Sequence, residues 1–329
     1  MAEPAAAGDR SAIPQAERIA VAAIVGPTGS GKSEIALRVA EALRAEIVAV
    51  DSMTIYRGMD VGTAKPPRGD RERVPHHLID IADPAEPYSV AQFQQAARAA
   101  IGDIAARGRL PLLVGGSGLY FRAVVDELSF PPTDPAVRAS IAEADPETLR
   151  QRLRDVDPAA AAAIDPANLR RVVRALEVAQ LTGSPFSAFR ESWDRYESRY
   201  DLTAAGIALS ADALRARIAV RVQAMIEHGL VGEVRALLDR GLRGALTASR
   251  AIAYGEIVAH LDGGMTLDEA VAAIESATWR YARRQMTWFR KDPRIRWFDT
   301  ADPGGLAEPV AAWLDGGKGR DPGPRPAVD

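Results

Sequence analysis

The stretch Ile19 to Glu34 constrains this chain more than any other, because it combines a strand, a glycine-rich turn and a helix start. The apolar, β-branched run from Ile19 to Val25 predicts a buried strand, and helical spacing follows from Ile35 to Leu43. Between them, the sequence G-P-T-G-S-G-K-S fits the pattern G-x-x-x-x-G-K-[ST]. The pattern predicts a phosphate-binding loop.

Each residue type in this loop suits an anion. Glycines let the backbone turn its N–H groups inward, Lys32 adds a positive charge, and the helix directs its positive end at the ligand. Ser33 offers a hydroxyl to Mg²⁺, the expected cofactor. The alternative interpretation is a glycine-rich turn with an exposed lysine and no ligand. Even a true phosphate-binding loop does not identify the reaction that a protein catalyses. The expected phosphate-binding residues are Gly26, Pro27, Thr28, Gly29, Ser30, Gly31, Lys32 and Ser33.

Composition narrows the class of protein. The 329 residues include no cysteine, which excludes disulfides and thiolate metal sites and suits a cytoplasmic protein. We expect no membrane partner, because we find no apolar run of about 18 residues and no targeting signal. Net charge is −3, but the segment from Arg280 to Arg296 is strongly basic. A monomer is the default expectation.

Proline-rich and polar segments divide the chain. Residues 1–18 and 316–329 are predicted to be disordered tails. Residues 19–132 form the first part of a core, the run P-P-T-D-P marks a stiff boundary, and 133–200 form a helical insertion. Residues 201–300 return to the core through a strand at Leu202 to Leu209, although the helices from 221 to 262 could belong to the insertion instead. The fold class predicted is α/β, a P-loop NTPase-like parallel sheet with a helical insertion domain.

Two further strands end in polar residues. Asp51 follows the strand Glu46 to Val50, at the sheet edge where open α/β proteins bind ligands. It could hold Mg²⁺ or act as a base, or Asp51 or Ser52 could cap a helix. Ser117 follows the strand Leu110 to Val114 in a second glycine-rich turn, G-G-S-G, and could bind a diphosphate oxygen or only cap a helix.

Basic and aromatic residues recur at helical spacing. Residues Asp212 to Leu238 are predicted to form one helix, on which Arg217 and Arg221, four residues apart, share a face. The helix from Leu267 to Phe289 interleaves arginines with aromatic rings, a combination that serves phosphate contact and base stacking, although the rings could be core. Asn168, Arg171 and Arg174 also share a face, which could be simply solvated. Adjacent His76 and His77 would point to opposite faces of a strand, which favours structural or substrate-orienting roles over metal binding. Ser89 is predicted to cap an amphipathic helix that runs to about Arg107.

Taken in order, a series of motifs resembles the tRNA dimethylallyltransferase family: G-P-T-G-S-G-K-S, D-S-M-T-I-Y, D-V-G-T-A-K-P, H-H-L-I-D, G-G-S-G-L-Y, N-L-R-R-V-V-R-A-L-E and R-R-Q-M-T-W. The resemblance implies an enzyme, a prenyltransferase of tRNA. In that family the exocyclic amine of the adenosine adjacent to the anticodon attacks dimethylallyl diphosphate, and diphosphate leaves. The implied partners are dimethylallyl diphosphate and the anticodon stem-loop of tRNA.

The resemblance also implies residue roles. Asp51 would take the proton from the amine, Arg217 would be the cation at the diphosphate, and Ser117 stands where the family usually has threonine. The tRNA contacts would be Asp51, Ser52, Met53, Thr54, Ser117, Arg138, Arg170, Arg171, Val172, Val173, Arg174, Arg250, Ala251, Ile252, Ala253, Tyr254, Gly255, Arg283, Arg284, Gln285, Met286, Thr287, Trp288, Phe289 and Arg290.

The chain departs from the family pattern at three positions. Thr54 replaces glutamine, Ala253 replaces glycine, and Gly255 stands where lysine or arginine is usual. None of these removes a proposed catalytic group. The alternatives are a P-loop small-molecule kinase, an adenylate prenyltransferase, and a nucleotide-dependent RNA-binding switch that would leave Asp51 and Arg217 without roles.

Overall fold

The computed structural model describes residues 18–193, 195–300 and 303–316. They form two compact units: a core unit, made of the residues up to Val125 and from Ser198 onward, and a helical unit, Asp126–Glu197. Residues 221–262 belong to the core unit, and the helical unit Asp126–Glu197 overlaps the insertion predicted at 133–200. The predicted tails lie outside the described residues, apart from Arg18 and Gly316.

The core unit is built on a six-stranded parallel sheet in the order β3-β2-β4-β1-β5-β6. Alternate residues of the first strand enter two hydrophobic cores, Val21, Ala23 and Val25 on one face and Ala22 and Ile24 on the other. Burial on both faces explains the nearly continuous apolar strands. The strands are β1 Ala20–Val25, β2 Ala45–Val50, β3 His76–His77, β4 Leu110–Gly115, β5 Asp201–Ala208 and β6 Ile295–Asp299.

Helices cover both faces of this sheet, and one face is packed by the first and last helices of the unit. The predicted P-loop NTPase-like α/β fold is confirmed. The core helices are α1 Lys32–Leu43, α2 Arg68–Arg73, α3 Val90–Ala106, α4 Gly118–Val125, α9 Ala211–Glu227, α10 Leu230–Asp239, α11 Tyr254–Leu261, α12 Leu267–Phe289 and α13 Ala307–Gly316, with 3₁₀ turns at Leu242–Gly244, Ala248–Arg250 and Pro303–Leu306.

The helical unit comprises α5 Pro135–Ala142, α6 Pro146–Val156, α7 Pro158–Ala163, α8 Leu169–Thr182 and a 3₁₀ helix at Phe186–Trp193. Its first three helices begin in the same way. Asp134, Asp145 and Asp157 each accept hydrogen bonds from backbone N–H groups of the helix that follows, and proline occupies the first helical turn. Local sequence therefore determines where each of these helices begins.

The predicted elements agree with the structure to within three residues, with one exception. The helix expected from Asp212 to Leu238 is two helices, α9 and α10, because Gly229 adopts φ 93° between them. Ser89 caps α3 as predicted, with Gln92 completing a capping box. Among the described residues, no helix has the length and apolar character needed to cross a membrane.

Candidate active site

The loop after β1 presents Lys32 and Ser33 at the start of α1. Gly31, the residue before this helix, has φ 80°, and Gly29 has φ 83°, backbone conformations that favour glycine. The Lys32 ammonium group donates a hydrogen bond to the Pro27 carbonyl at 3.1 Å. The first free N–H groups of α1 and the Lys32 charge make this loop suitable for a phosphate group.

A cavity of about 740 Å³ opens beside this loop, at the carboxyl ends of β1, β2 and β4. All of its lining residues belong to the core unit. They include the phosphate-loop residues Thr28, Lys32 and Ser33 together with Asp51 and Arg221. The cavity therefore brings an anion-binding loop and a carboxylate to one space.

The Asp51 side chain is held at the end of β2 by hydrogen bonds from the backbone that follows it. Its Oδ1 accepts hydrogen bonds from the N–H groups of Met53 at 2.7 Å and Thr54 at 3.3 Å. No helix follows at this point, so the helix-cap alternative for Asp51 or Ser52 is wrong and the motif is an Asx turn. Within the described residues the second oxygen, Oδ2, accepts no hydrogen bond, which leaves it available to a ligand in the cavity.

Charges around the cavity shift the Lys32 pKa. Burial and the nearby Arg221 guanidinium lower that pKa to about 8, against an opposing effect of Asp51. Burial also lowers the pKa of Arg221, and Asp51 again opposes the shift. Lys32 and Arg221 lie close together with only the Asp51 carboxylate to balance them, which leaves an excess of positive charge. A bound polyphosphate would neutralise this excess.

The structure separates the two arginines of α9. Arg221 lines the cavity, whereas the Arg217 side chain is exposed and donates from Nε to the Gly29 carbonyl at 2.9 Å. The cation predicted at the diphosphate, Arg217, thus lies against the backbone of the phosphate loop, and its neighbour one turn later faces the cavity. Ser117, half buried before α4, is not among the lining residues. Direct diphosphate contact by Arg217 and Ser117 stays a prediction.

The residues predicted to contact tRNA in the core unit fall into two groups. Arg250, Gly255, Arg283, Arg284, Thr287 and Trp288 are exposed. Side chains of the second group are buried, and the Tyr254 hydroxyl donates a hydrogen bond to Glu233 at 2.6 Å, but Thr54, Ala251, Ala253 and Gln285 line the cavity, so RNA contact by this group stays a prediction. The buried residues are Thr54, Ala251, Ala253, Tyr254, Gln285, Met286 and Phe289.

Ser52, Met53, Ile252 and Arg290 are half buried, and the first three line the cavity. Thr54 lines it as well, and in the described part of the chain its Oγ1 has no hydrogen-bond partner. A buried hydroxyl without a partner is costly unless a ligand satisfies it. Thr54 is therefore a candidate contact for a polar group in the cavity.

In the helical unit, Arg170 and Arg171 are exposed on α8, and Val172 and Val173 are buried in the core of that unit. The valine side chains are therefore unavailable to RNA. Glu177, fully buried, accepts hydrogen bonds from Arg138 and Arg174 at 2.8 Å. Burial alone would raise the Glu177 pKa, but the two arginines hold it below its usual value. Arg138 and Arg174 both donate to the Glu177 carboxylate, and through it they link α5 to α8. RNA contact by these two arginines stays a prediction.

The histidine pair has structural partners. His77 Nε2 lies 2.7 Å from Glu46 Oε2, which also pairs with Arg107, and His76 Nδ1 lies 2.7 Å from the Val74 carbonyl. Nowhere in residues 18–193, 195–300 and 303–316 do three or more His, Cys, Asp or Glu side chains form a metal-binding group.

Three cavity features were not predicted from the sequence. Arg221 was noted only as the helical neighbour of Arg217. Tyr281 lines the cavity, and burial together with the Asp51 charge raises its pKa. Glu233 accepts hydrogen bonds from the N–H groups of Asp60, Val61 and Gly62 at 2.7 to 3.1 Å and so anchors a loop that forms one wall. No local signal marks such long-range contacts.

Fold and site together define a P-loop protein in which a carboxylate faces the phosphate loop across a cavity. Comparison with known proteins identifies the family: residues 54–292 match the family model described as IPP transferase, and residues 19–75 match one described as isopentenyl transferase. The chain belongs to the IPP transferase family. It is 52% identical over 296 residues to a tRNA dimethylallyltransferase of Salinispora arenicola, with 89% of this chain and 86% of the relative covered.

Solved structures support the same family assignment. The full-length tRNA isopentenylpyrophosphate transferase of Bacillus halodurans is 41% identical, with a TM-score of 0.66 over 90% of this chain and 95% of the other. A eukaryotic dimethylallyltransferase described as acting on tRNA is 26% identical, with a TM-score of 0.77 over 91% of this chain and 80% of the other. The family resemblance seen in the motifs is confirmed.

Proposed function

We propose that this chain transfers a dimethylallyl group from dimethylallyl diphosphate to the exocyclic amine of the adenosine adjacent to the anticodon in tRNA. The observation that carries the proposal is the meeting of Asp51 with Lys32 and Arg221 in one cavity. The family assignment and the names of its relatives support the substrates. The products are N6-dimethylallyladenosine and diphosphate.

The geometry suits this reaction. An aromatic amine is a weak nucleophile, so a carboxylate that accepts its proton as the new carbon–nitrogen bond forms lowers the barrier. Asp51 Oδ2 is the group proposed for this role. The carbon–oxygen bond to diphosphate breaks at the same time, and Lys32, Arg221 and the loop N–H groups would stabilise the departing negative charge.

We propose Mg²⁺ as the metal cofactor. The Ser33 hydroxyl and the Asp51 carboxylate line the same cavity, and Mg²⁺ prefers oxygen ligands, commonly one or two carboxylates together with substrate phosphates. Ser33 would hold the ion, with Asp51 contributing only through water, so that Oδ2 stays available to accept the proton. When bound, Mg²⁺ would add positive charge at the leaving diphosphate.

We also propose that the protein acts as a monomer, because one copy of the core unit supplies all the described residues that line the cavity. We further propose that it acts in the cytoplasm, which suits a sequence without cysteine. Light scattering coupled to gel filtration tests the monomer. A dimer at micromolar concentration would contradict it.

The function is tested by incubating the protein with labelled dimethylallyl diphosphate, Mg²⁺ and either unmodified tRNA or AMP. We expect label in tRNA. Label in AMP alone would indicate an adenylate prenyltransferase, and phosphate transfer from ATP would indicate a kinase. Either result would overturn the proposal.

The role of Asp51 is tested by a pair of variants. Asp51→Asn retains an oxygen that can accept the bonds from Met53 and Thr54 but cannot take a proton, while Asp51→Ala removes both properties. We expect both to lower turnover about a hundredfold or more and to leave tRNA binding nearly intact. If Asp51→Asn turned over normally, the carboxylate would be structural. Equal loss of tRNA binding would make Asp51 an RNA contact.

A further inference from the structure

Gln285 lies on α12 within the stretch that the resemblance assigns to tRNA contact, yet its side chain is only 5% exposed. Its Oε1 accepts a hydrogen bond from the N–H group of Thr28 at 2.9 Å, and its Nε2 donates to the carbonyl of Gly116 at 2.8 Å. Thr28 belongs to the phosphate loop and Gly116 to the second glycine-rich turn. One amide side chain therefore joins the two turns.

The amide is matched to these two partners. A backbone N–H needs an acceptor and a backbone carbonyl needs a donor, so only one orientation of the Gln285 amide satisfies both. The space around it is equally restricted, because a Cβ atom at Gly116 would lie 2.3 Å from Gln285 Nε2 and 3.1 Å from the Gly26 carbonyl oxygen. The absence of a side chain at Gly116 makes this contact possible.

The contact affects the shape of the phosphate loop. Thr28 lies between β1 and Lys32, and β1 and β4 are neighbours in the sheet, so the two turns leave the sheet side by side. An amide that holds Thr28 against Gly116 limits the conformations of the loop before any anion arrives. Arranging the N–H groups in advance removes part of the ordering cost of binding.

We propose that Gln285 is a positioning residue that holds the phosphate loop in its diphosphate-binding shape. The inference rests on the proposed function only for the identity of the diphosphate substrate. Gln285 also lines the cavity, but the role proposed for it is exerted through Thr28 and not through contact with the reacting atoms.

The first test compares Gln285→Met, which has nearly the same size but makes neither hydrogen bond, with Ser276→Ala, a control on an exposed position of α12. Calorimetry measures binding of inorganic diphosphate with Mg²⁺, and filter binding measures tRNA. We expect Gln285→Met to weaken diphosphate binding about tenfold and raise the KM for dimethylallyl diphosphate similarly, with kcat and tRNA binding within about twofold of the unmodified protein. Weakened tRNA binding with unchanged diphosphate binding would overturn the proposal.

The second test uses Gln285→Glu. A carboxyl group there can accept from Thr28 N–H, but it can donate to the Gly116 carbonyl only when protonated, and burial beside a carbonyl raises its pKa. Relative to the unmodified protein at each pH, diphosphate binding should be about tenfold weaker near pH 8 and recover toward pH 5.5. A deficit independent of pH would overturn the proposal, and this variant decides the question if Gln285→Met does not fold.

A double-mutant cycle completes the test. Gly116→Ala should displace the Gln285 amide, so its effect on diphosphate binding and that of Gln285→Met should not add. Additive effects would show that the two residues act separately and would contradict the inference. These measurements need no prenyl acceptor, so failure to prenylate tRNA would overturn the proposed function and leave this inference intact.

Discussion

The two glycine-rich turns of this protein look alike in sequence but require glycine for different reasons. In the first, Gly29 and Gly31 have φ near 80°, so the backbone conformation excludes most side chains. In the second, none of Gly115, Gly116 and Gly118 has a positive φ angle, but neighbouring atoms fill the space that a Cβ atom would need. One turn is shaped for an anion, and the other allows close packing. Four experiments test whether backbone conformation or close packing explains the residues found at and around these turns.

The largest effect is expected at Gly115, the last residue of β4. A Cβ there would lie 1.9 Å from the Val50 carbonyl oxygen in the neighbouring strand, and neither backbone can move without breaking the β2–β4 ladder. Gly115→Ala should lower the free energy of unfolding by about 4 kcal/mol or more. Urea denaturation measures this, with Gly69→Ala, where space is open, as the control. A loss below about 1 kcal/mol would show that close approach is not the reason for glycine here.

Gly31→Ala tests the first turn. Alanine at φ 80° costs about 2 kcal/mol, and its Cβ would also approach Pro303 Cβ to 2.9 Å. We expect lower stability and weaker diphosphate binding, because the residue precedes Lys32. Thermal unfolding and calorimetry check the two effects against Gly102→Ala, a helical site with open space. A stable variant with unchanged diphosphate affinity would contradict the conformational explanation.

Lys32 makes the first turn sensitive to pH. With a pKa of about 8 in the free protein, its ammonium form predominates at pH 7 and is a minority at pH 9, so diphosphate should bind about tenfold more weakly at pH 9. In the unfolded chain the Lys32 pKa is 10.5, so between pH 8 and 10.5 the unfolded state binds more protons than the folded one. The free energy of unfolding of the ligand-free protein should therefore rise with pH over this range. Lys32→Arg keeps its charge throughout and serves as the control for calorimetry. An equal pH dependence in both proteins would exclude Lys32 as its source.

The smallest effect is expected at Ala253, a buried cavity residue with φ 81° where the resemblance has glycine. Ala253→Gly relieves about 1 to 2 kcal/mol of backbone strain and loses about 0.8 kcal/mol from one buried methyl group. The net gain should be about 0.5 kcal/mol, which shifts the urea midpoint upward. A destabilised variant would show that packing outweighs conformation at this position.

Much of the fold follows from local patterns. The strand, loop and helix from residue 20 to 43, the cap of α3 by Ser89, and the helix from Leu267 to Phe289 all agree with the sequence. Each depends on apolar periodicity or on hydrogen bonds within a few residues. The break at Gly229 was missed because glycine inside a helical pattern can also be tolerated without ending the helix.

Local sequence was enough to predict the phosphate loop and the position of Asp51 at the end of a strand, since these depend on neighbouring residues, and the alternation of strands and helices predicted a parallel sheet without giving its strand order. Tertiary structure decided which arginine of α9 faces the cavity, which residues of α12 are exposed, and that Gln285 reaches Thr28, 257 positions away in the chain. Helical spacing groups side chains on a face, but only the packing of that helix against distant strands decides what the face meets.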